Sequence, residues 1–137
     1  TSQSPVDVET MHKEDLFVHG AMWGATTDLW DQLGVAEGFL HDLLGPNGEA
    51  HNFEVVCVGH SMGAGIAAVL ALMLWSRCGG NVKCIGYEPP GGLLSRRLAE
   101  RTAELGWICT AVACDFCPRI SLNSLVHLRE KVIAELK

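Results

Sequence analysis

The sequence predicts an α/β fold in which a mainly parallel sheet is flanked by helices. Three apolar, strand-like runs, near residues 53–58, 82–87 and 107–113, alternate with stretches of helical periodicity, the pattern of strand–helix–strand crossover units. The chain has 137 residues, 48% of them hydrophobic, enough to bury one core. With no internal repeat, low-complexity tract or linker, residues 1–137 read as a single domain.

Taken in order, Thr1 to Asp15 is polar and weakly patterned, with Val6 and Val8 alternating as in a strand edge. Leu16-Phe17-Val18 is a short apolar run that ends at His19-Gly20. Leu29, Trp30, Leu33, Ala36, Phe39, Leu40, Leu43 and Leu44 then recur at helical spacing. Thr26 or Thr27 is the expected cap of this helix, Gly34 and Gly38 weaken it slightly, and Gly45-Pro46-Asn47-Gly48 ends it. Asn52 to Val58 is a strand and Gly59-His60-Ser61-Met62-Gly63 a sharp turn. Ala64 to Trp75 follows as an apolar helix, too short to span a membrane and better read as buried on all sides. Beyond the turn Cys78-Gly79-Gly80-Asn81, Val82 to Tyr87 is a second strand, closed by Pro89-Pro90-Gly91-Gly92. Leu93 to Leu105 is an amphipathic helix stopped by Gly106, and Trp107 to Ala113 is a third strand, apolar enough for burial on both faces. Ser121 to Lys137 is a closing helix with Leu125, Leu128, Val132 and Leu136 on one stripe.

The stretch from Phe53 to Trp75 carries the chemistry. Gly59-His60-Ser61-Met62-Gly63 is a G-x-S-x-G motif between a strand and a helix, and that context gives the motif its meaning as a nucleophile elbow. Gly59 and Gly63 are expected to let strand and helix pack closely, and the tight turn forces Ser61 into an exposed, strained position. The backbone N–H of Met62, at the helix start, faces a developing oxyanion with the helix dipole behind it. Bottom-up, this points to acyl transfer by a serine.

Composition narrows the alternatives. The formal charge is -6, without a cluster of Lys or Arg, which argues against nucleic acid and against polybasic attachment to anionic membranes. Of the six cysteines, Cys57, Cys84 and Cys109 lie inside apolar strand-like runs, where a reduced thiol serves as a small hydrophobe. Reduced thiols suit an intracellular or membrane-adjacent setting. Cys114-Asp115-Phe116-Cys117 has C-x-x-C spacing but no second pair or histidine at zinc-site spacing, so no metal is expected. No secretory signal sequence opens the chain, and its start at Thr1 suggests a piece of something longer.

In an open parallel sheet, functional groups gather at the carboxyl ends of the strands. Three candidates stand there: the loop His19-Gly20-Ala21, Ser61, and Asp115 after the third strand. A carboxylate at Asp115 suits the task of orienting an imidazole. His19-Gly20 resembles the histidine-glycine loop that supplies the second oxyanion donor in many α/β-hydrolases, the donor then being the N–H of Ala21.

Val56-Cys57-Val58-Gly59-His60-Ser61-Met62-Gly63-Ala64-Gly65 resembles the class 3 lipases, and most closely the diacylglycerol lipases. The similarity extends to Pro89-Pro90-Gly91-Gly92-Leu93-Leu94-Ser95, like that family's proline-glycine loop, and to Asp115-Phe116-Cys117-Pro118-Arg119-Ile120, like its acid-bearing segment. The resemblance implies an α/β-hydrolase core, incomplete at both ends. It implies Ser61 as nucleophile, Asp115 as triad acid, and Ala21 with Met62 as oxyanion donors. It further implies a cofactor-free enzyme cleaving diacylglycerol to monoacylglycerol and fatty acid, acting on glycerolipid at a membrane or lipid surface and membrane-associated in the full-length protein.

Two departures stand out. Glu88 occupies the place where the similar sequences usually have a small polar residue before the two prolines, and no histidine matches the triad base. His60 is expected to point away from the Ser61 hydroxyl. His127 lies about 100° around its helix from Leu128, on the solvated side. His12, His41 and His51 lie in polar or loop surroundings. The triad histidine is therefore expected beyond Lys137. Alternative readings are a general carboxylesterase or phospholipase, and a non-catalytic α/β-hydrolase module that binds lipid or a partner.

Overall fold

A computed structural model describes residues 16–35, 38–45, 47–75, 81–110 and 115–136. Three strands form a sheet in the order β1-β2-β3, all parallel: β1 is Val55–His60, β2 Val82–Tyr87 and β3 Ile108–Thr110. β1 and β2 are in register from Val55↔Val82 to His60↔Tyr87, so both strands end at the same level. β3 starts late, with Ile108 opposite Ile85.

Alternation along the strands sets the two faces. Cys57, Val82 and Cys84 are buried on one face, while Val56, Val58 and Tyr87 stand exposed on the other. Helix α1 (Gly20–Gln32) packs on α3 (Met62–Trp75), and α3 in turn lies across β1 and β2. The main core joins Trp30 of α1, Ala67, Leu70, Ala71 and Leu74 of α3, and Cys57, Val82 and Cys84 of the sheet. Every residue of α3 except Met62 is at least half-covered, as its uninterrupted apolar composition requires. Helix α4 (Arg96–Glu104) inserts Leu98 and Thr102 on the same side, and the Trp107 ring meets Trp75 edge-on at 6.4 Å. Helix α5 (Leu122–Glu135) buries none of its residues. A reciprocal capping box holds its start: Ser121 Oγ accepts from the Ser124 N–H, and Ser124 Oγ accepts from the Ser121 N–H. Among the described residues no helix is long and apolar enough to cross a membrane.

Several boundaries differ from the sequence expectation. The first helix does not begin at Thr26 or Thr27 but at Gly20, with His19 as N-cap. Thr26 is fully buried mid-helix, its hydroxyl donating to the Met22 carbonyl at 2.7 Å. The single long helix is broken: α1 stops at Gln32, Gly34 and Gly38 take positive φ, and a short helix, α2 (Phe39–Leu44), follows. The two glycines do more than weaken the helix, because left-handed backbone ends it. Leu16-Phe17-Val18 does not join the parallel sheet; Val18 makes one antiparallel bridge with Leu94. Val6, Val8 and residues 111–114 of the expected third strand lie outside the described residues.

Gly59 and Gly63, expected to act alike, do not. A Cβ at Gly59 would lie 2.1 Å from the Gly63 carbonyl oxygen and 2.6 Å from the Ala64 nitrogen, whereas a Cβ at Gly63 would meet nothing within 4 Å. Gly59→Ala is therefore expected to destabilise by about 3 kcal/mol or more, the upper range for overpacking against backbone. Gly63→Ala is expected to be neutral or to stabilise by up to about 1 kcal/mol through helix propensity. Denaturant unfolding of the two variants checks the contrast.

Candidate active site

Because Gly59 brings the end of β1 against the start of α3, the turn between them is reduced to one residue. That residue is Ser61, with φ +53. Left-handed backbone in a non-glycine residue costs about 1–3 kcal/mol and persists where the surroundings over-determine it. Here they do: the Ser61 N–H donates to the Tyr87 carbonyl at 2.9 Å, and the Ser61 carbonyl accepts from the N–H groups of Ala64 and Gly65. The serine is half-buried, and Met62, the first residue of α3, is 63% exposed. The first N–H groups of a helix have no intrahelical acceptor, which leaves that of Met62 open next to Ser61.

Ala21 stands in the first turn of α1 rather than in a loop, so its N–H is likewise one of the donors a helix leaves open. The two helix starts are neighbours. Met22 packs on α3 so closely that a Cβ at Gly65 would lie 3.1 Å from its sulfur. The Thr26 hydroxyl reaches the Ile66 carbonyl at 3.5 Å.

Asp115 lies beyond the C-terminal end of β3 and is half-buried. Its Oδ1 accepts the Cys117 N–H at 3.1 Å, and the Arg119 guanidinium donates to its backbone carbonyl. Its Oδ2 is buried and has no hydrogen-bond partner among the described residues. Leaving a carboxylate oxygen in that state costs about 1–3 kcal/mol or more, so Asp115 is set to accept one further donor.

The segment 88–95, singled out in the sequence as a motif, ties these pieces together through contacts that the motif does not reveal. Glu88 leaves β2 with φ +51, the second left-handed non-glycine residue among those described. Gly91 donates to the Cys117 carbonyl at 2.9 Å and lies so close to the acid segment that a Cβ would stand 2.1 Å from the Ile120 carbonyl oxygen. Leu93 accepts the His19 N–H at 2.8 Å, fixing the N-cap of α1, and Ser95 pairs with Phe17 through both its N–H and its hydroxyl. One short loop therefore touches the elbow strand, the acid segment and the start of α1.

The described imidazoles are engaged elsewhere or exposed. His60 Nε2 lies 3.2 Å from Glu88 Oε2, consistent with a side chain turned away from the Ser61 hydroxyl, and His51 Nδ1 lies 3.3 Å from the Gly48 carbonyl. His19 and His127 are exposed. His12 and the side chain of His41 lie outside the described residues. Cys57 and Cys84 are buried in the core under the sheet; Cys114, half of the C-x-x-C pair, lies outside the described residues. Among the described residues no group of His, Cys, Asp and Glu is arranged to hold a metal ion.

The chain is 36% identical over 111 residues to diacylglycerol lipase-alpha of Homo sapiens, covering 80% of this chain and 10% of that protein. It is 34% identical over 84 residues to diacylglycerol lipase-beta of Mus musculus, covering 61% of this chain and 12% of that one. The chain thus spans about a tenth of the length of these relatives. A mutant form of MDLA from Penicillium cyclopium superposes with a TM-score of 0.65 at 23% identity, over 82% of this chain and 39% of that one. A lipase from Rhizopus microsporus var. chinensis superposes with a TM-score of 0.63 at 17% identity, over 88% and 41%. These likenesses establish the α/β-hydrolase fold. The family model for lipase (class 3) matches residues 2–124, nearly the whole chain, which therefore belongs to the class 3 lipase family.

Proposed function

We propose that this chain carries the nucleophile and the acid of a serine lipase that cleaves an acyl ester of diacylglycerol, releasing a fatty acid and a monoacylglycerol. The observation that carries this reading is the backbone of Ser61, held at φ +53 between a strand end and a helix start. Strain of that kind at a serine is maintained where the hydroxyl must be presented to a substrate. Asp115 Oδ2, buried and without a partner among the described residues, supports the reading, since a triad acid accepts the N–H of the imidazole it orients. The similarity to the diacylglycerol lipases supports the choice of glycerolipid.

In the proposed reaction Ser61 Oγ attacks the ester carbonyl carbon while its proton passes to an imidazole. The tetrahedral oxyanion takes hydrogen bonds from the N–H groups of Met62 and Ala21, at the starts of α3 and α1. Collapse breaks the bond to the glycerol oxygen, which leaves with the proton from the imidazole. Water then attacks the acyl-serine by the same route, releasing the fatty acid and restoring the hydroxyl. Asp115 holds the imidazole in the required tautomer and stabilises its charged form. No described histidine bonds to Ser61 or Asp115, and we place the base on a histidine outside these 137 residues. That no described histidine reaches Ser61 or Asp115 favours a second reading, a non-catalytic lipid-binding or interaction module, and the following tests separate the two.

In the full-length protein, Ser61→Ala is expected to lower kcat on diacylglycerol by about 10⁴- to 10⁶-fold while leaving the fold intact. Hydrolysis that survives this substitution would sink the enzyme reading. Ser61→Gly should be equally inactive yet more stable by about 1 kcal/mol, because glycine relieves the positive φ; thermal unfolding shows the difference. Asp115→Asn is expected to reduce kcat by about 10⁴-fold with little change in KM. Residues 1–137 alone should be nearly inactive, and appreciable esterase turnover abolished by His127→Ala would contradict the placement of the base.

A further inference from the structure

Two neighbouring strands end in the same unusual way. Because His60 pairs with Tyr87, Ser61 and Glu88 are the first residues beyond the sheet on β1 and β2, and both are left-handed, with φ +53 and +51. The role of a nucleophile accounts for Ser61. Glu88 has no such role, and it precedes Pro89, which ordinarily drives the residue before it into the extended region. Glycine would adopt this backbone without strain.

What glycine would lack is the carboxylate. Glu88 Oε2 lies 3.2 Å from His60 Nε2, the Glu88 side chain being 28% exposed and the imidazole 69%. His60 is the residue immediately before the nucleophile. The bond from the Ser61 N–H to the Tyr87 carbonyl is a backbone tie just beyond the last registered pair of β1 and β2. The His60–Glu88 contact adds a side-chain tie at the same level, where the sheet no longer supports the two chains. Downstream, Glu88 opens the loop that Gly91 anchors on the acid segment and Leu93 anchors on His19.

We propose that Glu88, acting through His60, is a positioning residue for Ser61: the carboxylate–imidazole contact locks the ends of β1 and β2 together, so that the Ser61 hydroxyl keeps a fixed orientation relative to the loop over Asp115. The proposal rests on the serine-hydrolase reading of this site. An exposed pair of this kind adds little to global stability, so its removal is read at Ser61 rather than in the melting temperature.

The test compares Glu88→Gln, Glu88→Gly, His60→Ala and the double variant Glu88→Gly/His60→Ala in the full-length protein, with Ser61→Ala as control. Glu88→Gly and His60→Ala are each expected to lower kcat on diacylglycerol about tenfold at unchanged KM. The double variant should fall no further, since both changes break one link. Glu88→Gln, which can still hydrogen-bond the imidazole, should stay within about threefold of the parent. Hydrogen exchange of the Ser61 amide should quicken about tenfold in Glu88→Gly and His60→Ala alike. The melting temperature of Glu88→Gly should hold or rise. Unchanged kcat and unchanged Ser61 exchange in Glu88→Gly overturn the proposal, as do multiplicative effects in the double variant or a loss of rate matched by a loss of folded protein. If Ser61→Ala leaves hydrolysis intact, the hydrolase reading falls on its own, and Ser61 exchange still decides whether the pair holds the elbow.

Discussion

The contact on which the rest of the site depends is the approach of Gly59 to the Gly63 carbonyl, near enough that a single methyl group would stand 2.1 Å from its oxygen. This approach removes the room for an ordinary loop between strand and helix. With one residue left to make the turn, only a left-handed backbone connects a strand ending at His60 to a helix starting at Met62. The left-handed backbone of Ser61, the exposure of Met62 and the packing of α3 along the sheet all follow from that compression. The strain at Ser61 is sustained by the apolar burial of α3, whose Val69 and Ala71 are wholly hidden from solvent.

A second layer of organisation lies in the segment 88–95. The parallel sheet aligns β1, β2 and β3, but it does not by itself connect the acid segment to the start of α1. That connection runs through backbone: Gly91 to Cys117, Leu93 to His19, Ser95 to Phe17. Backbone contacts of this kind are rigid and leave no space for side chains, which is why Gly91 sits where two carbonyl oxygens would collide with a Cβ. The candidate nucleophile, acid and oxyanion helix are thereby referred to one short piece of chain.

Much of this was legible in the sequence, for reasons that can be stated residue by residue. β2 matches its expected bounds, Val82–Tyr87, because turn residues flank an apolar run on both sides. The elbow was legible because its glycines and serine follow a strand and precede an unbroken apolar helix. The start of α1 was not. Gly20-Ala21-Met22-Trp23-Gly24 has no capping residue and poor propensity, and the helix begins there because His19 is pinned to Leu93, seventy-odd residues away. Gly63 was misjudged because a motif glycine does not reveal which of its neighbours comes close. The left-handed backbone of Glu88 ran against the local rule for a residue before proline, so only tertiary structure could disclose it.

Helix α5, which buries none of its residues, has a consequence for how these 137 residues come apart. Leu122, Leu125, Leu128, Val132 and Leu136 are 48–81% exposed and gain little from burial within these 137 residues, so α5 is held here mainly by its own hydrogen bonds and by the Ser121 capping box. A helix of 14 residues held only in this way is marginal in water, whereas β1, β2 and α3 share a common core and open together. Asp115 and its turn lie on the seam between these two cooperative units. In residues 1–137 a denaturant or a protease acting on α5 therefore reaches the acid segment before the nucleophile elbow, and loss of the acid's geometry precedes loss of the fold.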